Sequence, residues 1–426
     1  MTDHAINESK PAIQAIRKDV AVIGGGPAGL AAAIALRKAG VSDIIILERE
    51  QKLGGILRQC IHDGFGLTRF GETLSGPEYA DRFIDEVKAL GIEVMTGATV
   101  IDITPERRIT VASPQGLLCY DARAVILTMG CRERTRGAIS IPGERPAGVF
   151  TAGVAQAHIN LKNTMVGKRV VILGSGDIGL IMARRLTLEG AEVLGVFEIM
   201  PYQSGLPRNV EQCLKDYGIP LYLSHTVKQI KGKARLQSVV VSQVDERLRP
   251  IPGTEKEYQC DTLILSVGLI PENELSQKAG VVLDERTRGP VVDEYYQTST
   301  PGVFAAGNVL HVHDLVDFVS LEAENLAQSV ADYLRAGSLP ACSIPVETDG
   351  TIGYTVPQKI SGTKDVTLSF RVRRPMRNGS IEVLQDGQTI VRRKQRRLIP
   401  AEMERITLPC SKLVSQNPVQ VVIRSE

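Results

Sequence analysis

One pattern occurs twice in this sequence and restricts its fold more than any other feature. It consists of a short β-rich run, a glycine turn with the spacing GxGxxG, an apolar helix closed by glycine, and a second β-rich run ending in glutamate. The first copy reads DVAVI, GGGPAG, LAAAIALRKAG and DIIILE; the second, about 150 residues further on, reads KRVVIL, GSGDIG, LIMARRLTLEG and EVLGVFE. Strand, turn, helix and strand in this order form a βαβ unit, which requires a parallel sheet with a right-handed crossover. Two copies predict an α/β chain with two Rossmann-like three-layer domains.

The spacing of the glycines carries chemistry. Gly24 allows the tight turn, Gly26 lets backbone approach a pyrophosphate, and Gly29 permits close helix packing, with the helix N-terminus facing the phosphate charge. Glu48 ends the following strand, where a carboxylate hydrogen-bonds a ribose hydroxyl. Gly174, Gly176, Gly179 and Glu198 repeat the arrangement. A carboxylate at Glu198 favours an unphosphorylated ribose, and Ile199 to Ser204 supply no cation for a 2′-phosphate, so the second site favours NADH over NADPH.

The rest of the chain fits around these units. Residues 93–130 hold strand-like runs (VMTGATVIDI, RRITVAS, LLCYDARAVILTMG), read as a β-meander and the closing strand of the first domain. DTLILSVG closes the second domain, and GVFAAGN (302–308) returns to the first, followed by the helix-like SLEAENLAQSVADYLRAG. The second domain is thus inserted in the first. From about residue 340 strand-like alternation with NG and DG turns predicts a C-terminal all-β, sandwich-like domain. The expected division is a tail at 1–18, a first domain at 19–140 and 270–337, a second at 141–269, and a β domain at 340–426.

Composition narrows the function. Hydrophobic residues make up 43% of 426, enough for two or three cores, and a net charge of +2 with 4% aromatics and no Trp gives no footprint of nucleic-acid binding. The seven cysteines are scattered and form no CxxC, as expected of reduced thiols in a cytoplasmic protein. The first eighteen residues lack an apolar signal core, and no apolar run is long enough for a transmembrane segment.

The order GGGPAG, Glu48, LGG (53–55), VILTMG (125–130), GSGDIG, SVG (266–268) and GVFAAGN resembles the two-dinucleotide flavoproteins of the pyridine nucleotide-disulfide oxidoreductase superfamily, over residues 19–336. The resemblance implies FAD at Gly24, Gly26, Gly29, Glu48, Gly55, Gly130, Gly307 and Asn308, and NAD at Gly174, Gly176, Gly179 and Glu198. The superfamily's second flavin motif usually ends in Asp; here Asn308 stands there without charge. Disulfide reductases of the superfamily carry a cysteine pair, whereas here Cys60 alone follows LGG, in GGILRQCIHDGFGL, a stretch similar to the GGxLxxGIPxxRL segment of glutamate synthase small subunits.

Cys60 is therefore either an inert thiol near the flavin or a single redox thiol with His62 lowering its pKa. His62 with Asp63 is either a proton donor and acceptor or a structural loop. His311, His313 and Asp314 form an HxH cluster read as a loop leading to the flavin-facing helix, with no metal. Arg392, Arg393, Lys394, Arg396 and Arg397, with Arg371, Arg373, Arg374 and Arg377, form either a solvated strand face or a dock for an acidic partner.

The segments GCRERTRGAISIPGERPAGVFTAGVAQ, SVGLIPENELS and GNVLHVHDLVD narrow the resemblance to bacterial FAD/NAD-dependent oxidoreductases encoded beside a glycerol-3-phosphate dehydrogenase-like flavoprotein and a small cysteine-rich protein. More distantly the chain is similar to the flavin subunits of opine, proline and sarcosine oxidising complexes. The resemblance implies an oligomer or hetero-complex in which hydride passes between NAD(H) and FAD and electrons pass to or from a partner dehydrogenase. Two alternatives stand beside it: a self-contained NADH oxidase or reductase using Cys60, and a non-catalytic nucleotide-binding subunit that assembles a complex.

Overall fold

In the run DVAVI the four residues after Asp19 are all apolar because the strand they belong to is covered on both faces. In the computed structural model, which describes residues 14–425, the strand Ile16–Ile23 lies between Ile44–Glu48 and Gly116–Leu127, parallel to both. Val20 and Val22 face helices Pro27–Lys38, Gly76–Ala89 and Val316–Ala336, while Ala21 and Ile23 face the opposite side, with the antiparallel strands Thr99–Ile103 and Arg108–Ser113. A parallel strand buried on two faces reads as a continuous apolar run for this reason.

Two details differ from the sequence reading. The first strand begins at Ile16, inside the stretch expected to be tail, because Ile16, Arg17 and Lys18 pair with Tyr120, Asp121 and Ala122. Backbone pairing, not side-chain pattern, extends it. The remainder of that stretch, residues 1–13, lies outside the described residues. The run VMTGATVIDI is two strands: Glu93–Thr96 joins the parallel sheet beside Ile44–Glu48, and Thr99–Ile103 pairs antiparallel with Arg108–Ser113. Gly97, at φ +65°, turns the chain between them.

Gly116–Leu127 serves both halves of this unit. Its first half pairs antiparallel with Arg108–Ser113; its second half pairs parallel with Ile16–Ile23 and with Val303–Ala305 of GVFAAGN. The second unit repeats the plan. Five parallel strands run in the order Val149–Thr151, Thr262–Leu265, Arg169–Leu173, Glu192–Glu198, Leu221–Leu223. Helices Ala152–Lys162 and Asp177–Leu188 cover one face, and the three-stranded sheet His225–Lys231, Ser238–Gln243, Lys256–Gln259 covers the other. The chain passes between the units through Cys131–Glu133 and Leu269–Pro271, which pair antiparallel with each other.

The C-terminal strands form two sheets, of five and three strands, sharing one apolar core. This β unit docks on the first unit through Val356, which is buried in the first unit's apolar core, and through polar contacts. Ser361 donates its N–H and hydroxyl to Glu294, Arg371 Nη2 donates to Val312 O at 3.0 Å, and the Arg405 guanidinium lies 3.3 Å from the Phe318 ring centroid. Among the described residues no helix is long and apolar enough to cross a membrane.

Candidate functional site

The first glycine turn leaves no room for side chains where the fold closes and keeps room where a ligand fits. A Cβ on Gly24, which sits at φ +109°, would lie 2.6 Å from Thr128 O, and one on Gly29 would lie 1.9 Å from Gly24 O. Above Gly26 the nearest atom is Gly55 Cα, 4.0 Å away. Helix Pro27–Lys38 starts there without a side-chain cap, so its first N–H groups point into open space, a suitable setting for phosphate. Glu48 is buried beside the turn, taking the Gly25 N–H on Oε2 and the Glu50 N–H on Oε1, each at 2.7 Å. Thr128 donates its hydroxyl to Ile23 O and Gly24 O, tying the closing strand to the turn.

This turn opens into a cavity of about 1500 Å³. Small-molecule pockets usually hold about 300–1,000 Å³, so there is space for more than one ordinary ligand. Gly24, Gly26, Glu48, Gly55, Gly130 and Asn308 line it from the first unit; Val149, Phe150, Ile178 and Leu265 line it from the second. The two walls are tied together. Gln59 Nε2 donates to Gly153 O at 2.8 Å and to Gln156 Oε1 at 3.0 Å, Asn160 Nδ2 donates to Gln59 O, and Glu133 Oε1 accepts the Gly153 N–H at 2.8 Å.

The second glycine turn closes in the same way but is tighter over its middle glycine. Cβ atoms on Gly174 and Gly179 would lie 2.1 Å from Ser266 O and 2.6 Å from Ser266 Cβ, and the nearest atom to a Cβ on Gly176 is Ser266 Oγ at 3.1 Å. Ser266 takes the place that Thr128 has in the first unit. Glu198 is buried and accepts four hydrogen bonds: the Ser175 N–H (2.9 Å) and hydroxyl (2.6 Å), the Ser204 hydroxyl (2.6 Å) and the Met200 N–H (3.0 Å). Gly174, Gly176, Gly179 and Glu198 do not line the large cavity; Ile178, in the first turn of the helix that follows, does.

The remaining candidates separate. Cys60 lines the cavity. Burial pushes its thiol up to about 12, opposite to what an activated thiolate needs, and its Sγ faces Ile56 O at 3.4 Å. All seven cysteines are free. His62 is outside the cavity lining; its Nδ1 lies 3.1 Å from Asp63 O, its ring packs on Phe65, and burial lowers its pKa. Gly307, also outside the lining, donates its N–H to Glu322 Oε1. Asn308 Oδ1 accepts the backbone N–H of His313, which lines the cavity as well. The basic C-terminal run lies on Gln388–Leu398, an edge strand, where Arg392 pairs with Glu382 and Arg393 with Glu404.

Gln59, Gln156 and Glu322 were not singled out from the sequence, because nothing in their local pattern marks them; they meet their partners only through tertiary folding. Thr128 and Ser266 had a signal, since each stands at the end of the strand that closes a βαβ unit.

A family model described as pyridine nucleotide-disulphide oxidoreductase matches residues 18–329, leaving out the C-terminal β unit. The glutamate synthase [NADPH] small chain of Mycobacterium tuberculosis is 28% identical over 367 residues, covering 78% of this chain and 70% of that protein. An opine oxidase subunit from Agrobacterium tumefaciens is 26% identical over 315 residues, 68% of this chain and 61% of that one. Among solved structures, thioredoxin reductase of T. acidophilum superposes with a TM-score of 0.61 at 26% identity, covering 74% of this chain and 98% of the reductase.

Proposed function

Because the chain belongs to the pyridine nucleotide-disulphide oxidoreductase family, whose members bind FAD and NAD(P), we propose that it is an FAD-dependent NADH oxidoreductase that exchanges hydride between NAD(H) and FAD. The observation that carries this reading is one cavity walled by both glycine-turn units, lined by Glu48 from the first and Ile178 from the second. A bound flavin supplies the hydride chemistry, since its ring accepts and returns two electrons. The chain binds, orients and excludes water. Gly24, Gly26, Gly29, Glu48, Gly55, Gly130, Gly307 and Asn308 would hold FAD, and Gly174, Gly176, Gly179 and Glu198 would hold NADH. The fit of the first set rests on the open space over Gly26 and the uncapped helix beside it. In this reading residues 19–140 and 270–337 form the FAD unit, 141–269 the NAD(H) unit and 340–426 the β unit.

NADH is preferred over NADPH because Glu198 stands where a 2′-phosphate would need a cation, and Ile199 to Ser204 bring none. The electrons go to or come from a partner dehydrogenase in the cytoplasm, a glycerol-3-phosphate dehydrogenase-like flavoprotein acting with a small cysteine-rich protein. Support for a hetero-complex comes from relatives named as parts of larger enzymes, among them the glutamate synthase small chain and the opine oxidase subunit. The raised pKa of Cys60 weighs against a thiol cycle within this chain.

The test is to purify the chain from its native cell, identify what accompanies it, and assay the isolated chain with NADH and an artificial electron acceptor. A partner flavoprotein together with NADH-dependent acceptor reduction is expected. Bound nucleotides without acceptor reduction would instead make it a non-catalytic assembly subunit.

A further inference from the structure

Behind the Asn308 wall of the cavity lies a buried group that hydride exchange does not use. His311, His313 and Glu322 bring their reactive atoms within 4.8 Å of one another. Glu322 Oε2 is 2.8 Å from His311 Nε2 and 3.4 Å from His313 Nε2, and its Oε1 takes the Gly307 N–H. Burial alone would raise the Glu322 carboxyl, but the two imidazoles outweigh it and hold the group far below the usual range, so it is an anion.

Hydrogen bonding decides where the balancing proton sits. Among the described residues His311 Nδ1 has no partner. A proton there would bury an unpaired donor, which costs about 1–3 kcal/mol, so His311 is neutral with its single proton on Nε2, toward Glu322. Burial lowers its pKa in the same sense. His313 differs, because both of its nitrogens face acceptors. Nδ1 is 3.3 Å from Asn308 Oδ1, and that atom is identified as oxygen because it also accepts the His313 backbone N–H at 3.0 Å. Nε2 faces the Glu322 carboxylate. Only an imidazolium meets both.

The other charged and titratable groups packed around this loop are accounted for. Asp314 pairs with Arg371 from the β unit at 3.3 Å, Arg405 lies over Phe318, the Tyr354 ring meets His311 edge-on at 5.9 Å, and Cys131 Sγ takes Asn308 Nδ2 at 3.6 Å. Tyr296 is buried near Glu322, and burial raises its pKa, so it is neutral.

We propose that His313 is a charge-setting residue, an imidazolium clamped between Glu322 and Asn308 that presents positive charge to the cavity and raises the reduction potential of the flavin held there. This rests on the reading of the cavity as a flavin site. A positive charge at the wall favours whichever state of the occupant carries more negative charge. The neutral amide of Asn308 adds no second negative charge beside His313, so the imidazolium is paired with Glu322 alone.

Two measurements test it. Histidine ¹⁵N NMR of the protein as purified is expected to show both ring nitrogens of His313 protonated at neutral pH, and to lose that signature in Glu322→Gln. Spectroelectrochemistry of the FAD-loaded protein is expected to show His313→Gln shifting the flavin equilibrium at least tenfold toward the oxidised form, about 30 mV for a two-electron couple, with His313→Lys restoring it. Glu322→Gln keeps an acceptor for the Gly307 N–H, and the two His313 variants keep the proposal testable if that variant does not fold. A neutral His313 in the unsubstituted protein, or a His313→Gln protein that binds FAD with an unchanged potential, overturns this proposal alone. A protein that takes up no FAD overturns the flavin reading and this proposal with it.

Discussion

Gln59 and Gln156 are joined by a buried hydrogen bond of 3.0 Å that crosses from the first glycine-turn unit to the second. The same Gln59 amide also donates to Gly153 O. Replacing Gln59 by Leu removes both bonds and leaves the Gln156 carbonyl, 2% exposed, without this donor, a loss of about 1–3 kcal/mol for the closed arrangement. Small-angle scattering of Gln59→Leu should give a larger radius of gyration, and proteolysis should cut faster near Cys131–Glu133 and Leu269–Pro271. Unchanged scattering and proteolysis would show that other contacts hold the units together.

Gly29→Ala should abolish FAD binding while leaving the second unit folded. Its Cβ would fall 1.9 Å from Gly24 O and 2.9 Å from Thr128 Oγ1, so the turn must move away from the geometry that faces the cavity. The check is the visible spectrum of the purified variant together with its circular dichroism. A yellow Gly29→Ala protein with wild-type FAD content would mean the turn yields more easily than its packing suggests.

Cys60 should behave as a poor nucleophile. With its pKa pushed up to about 12 by burial, only about one thiol in ten thousand is ionised at pH 8. Alkylation by iodoacetamide, followed by mass spectrometry of the Cys60 peptide, should be slow at pH 8 and rise about tenfold per pH unit up to the limit of the folded state. Fast labelling at pH 7 would restore the redox-thiol reading.

Asp293 sits where the β unit joins the first unit, beside the bridge to Lys359, and burial raises its carboxyl to about 6. A carboxyl whose folded pKa is raised contributes stability in its protonated form below about pH 4, and that contribution is lost as pH rises through 6. Asn keeps an oxygen for the Tyr295 and Gln297 N–H groups that Oδ1 now accepts. Asp293→Asn should therefore raise stability above pH 6 by up to about 3 kcal/mol, read as a higher Tm, and give no gain at pH 4. A loss at pH 8 would show that the carboxylate is stabilised by a partner such as Lys364.

Much of the site was legible because it is built locally. Gly24, Gly26, Gly29 and Glu48 lie within 25 residues of chain, and so do Gly174 to Glu198, so their spacing alone reports the βαβ geometry. The inward-facing alternation of the C-terminal strands is local too, and it pointed to the β unit. What brings distant segments together was not legible. Gln59 meets Gln156 across 97 positions, and Arg371 meets Val312 across 59. His313 could be read as part of a loop near the flavin motif, but its charge depends on Glu322, which stands inside an ordinary amphipathic helix. The closing of Glu198 by Ser204 was also hidden, since a serine six residues past a strand end carries no signal of its own.

Hydride passage between NADH and a bound flavin is the activity proposed for this chain, and it can be checked by anaerobic titration of the FAD-loaded protein with NADH and then with NADPH. About one equivalent of NADH should bleach the visible flavin band, and NADPH should act only at much higher concentration, since the proposed NADH site offers Glu198 and no cation to a 2′-phosphate. A protein that carries no flavin, or a flavin that NADH leaves oxidised, would contradict it.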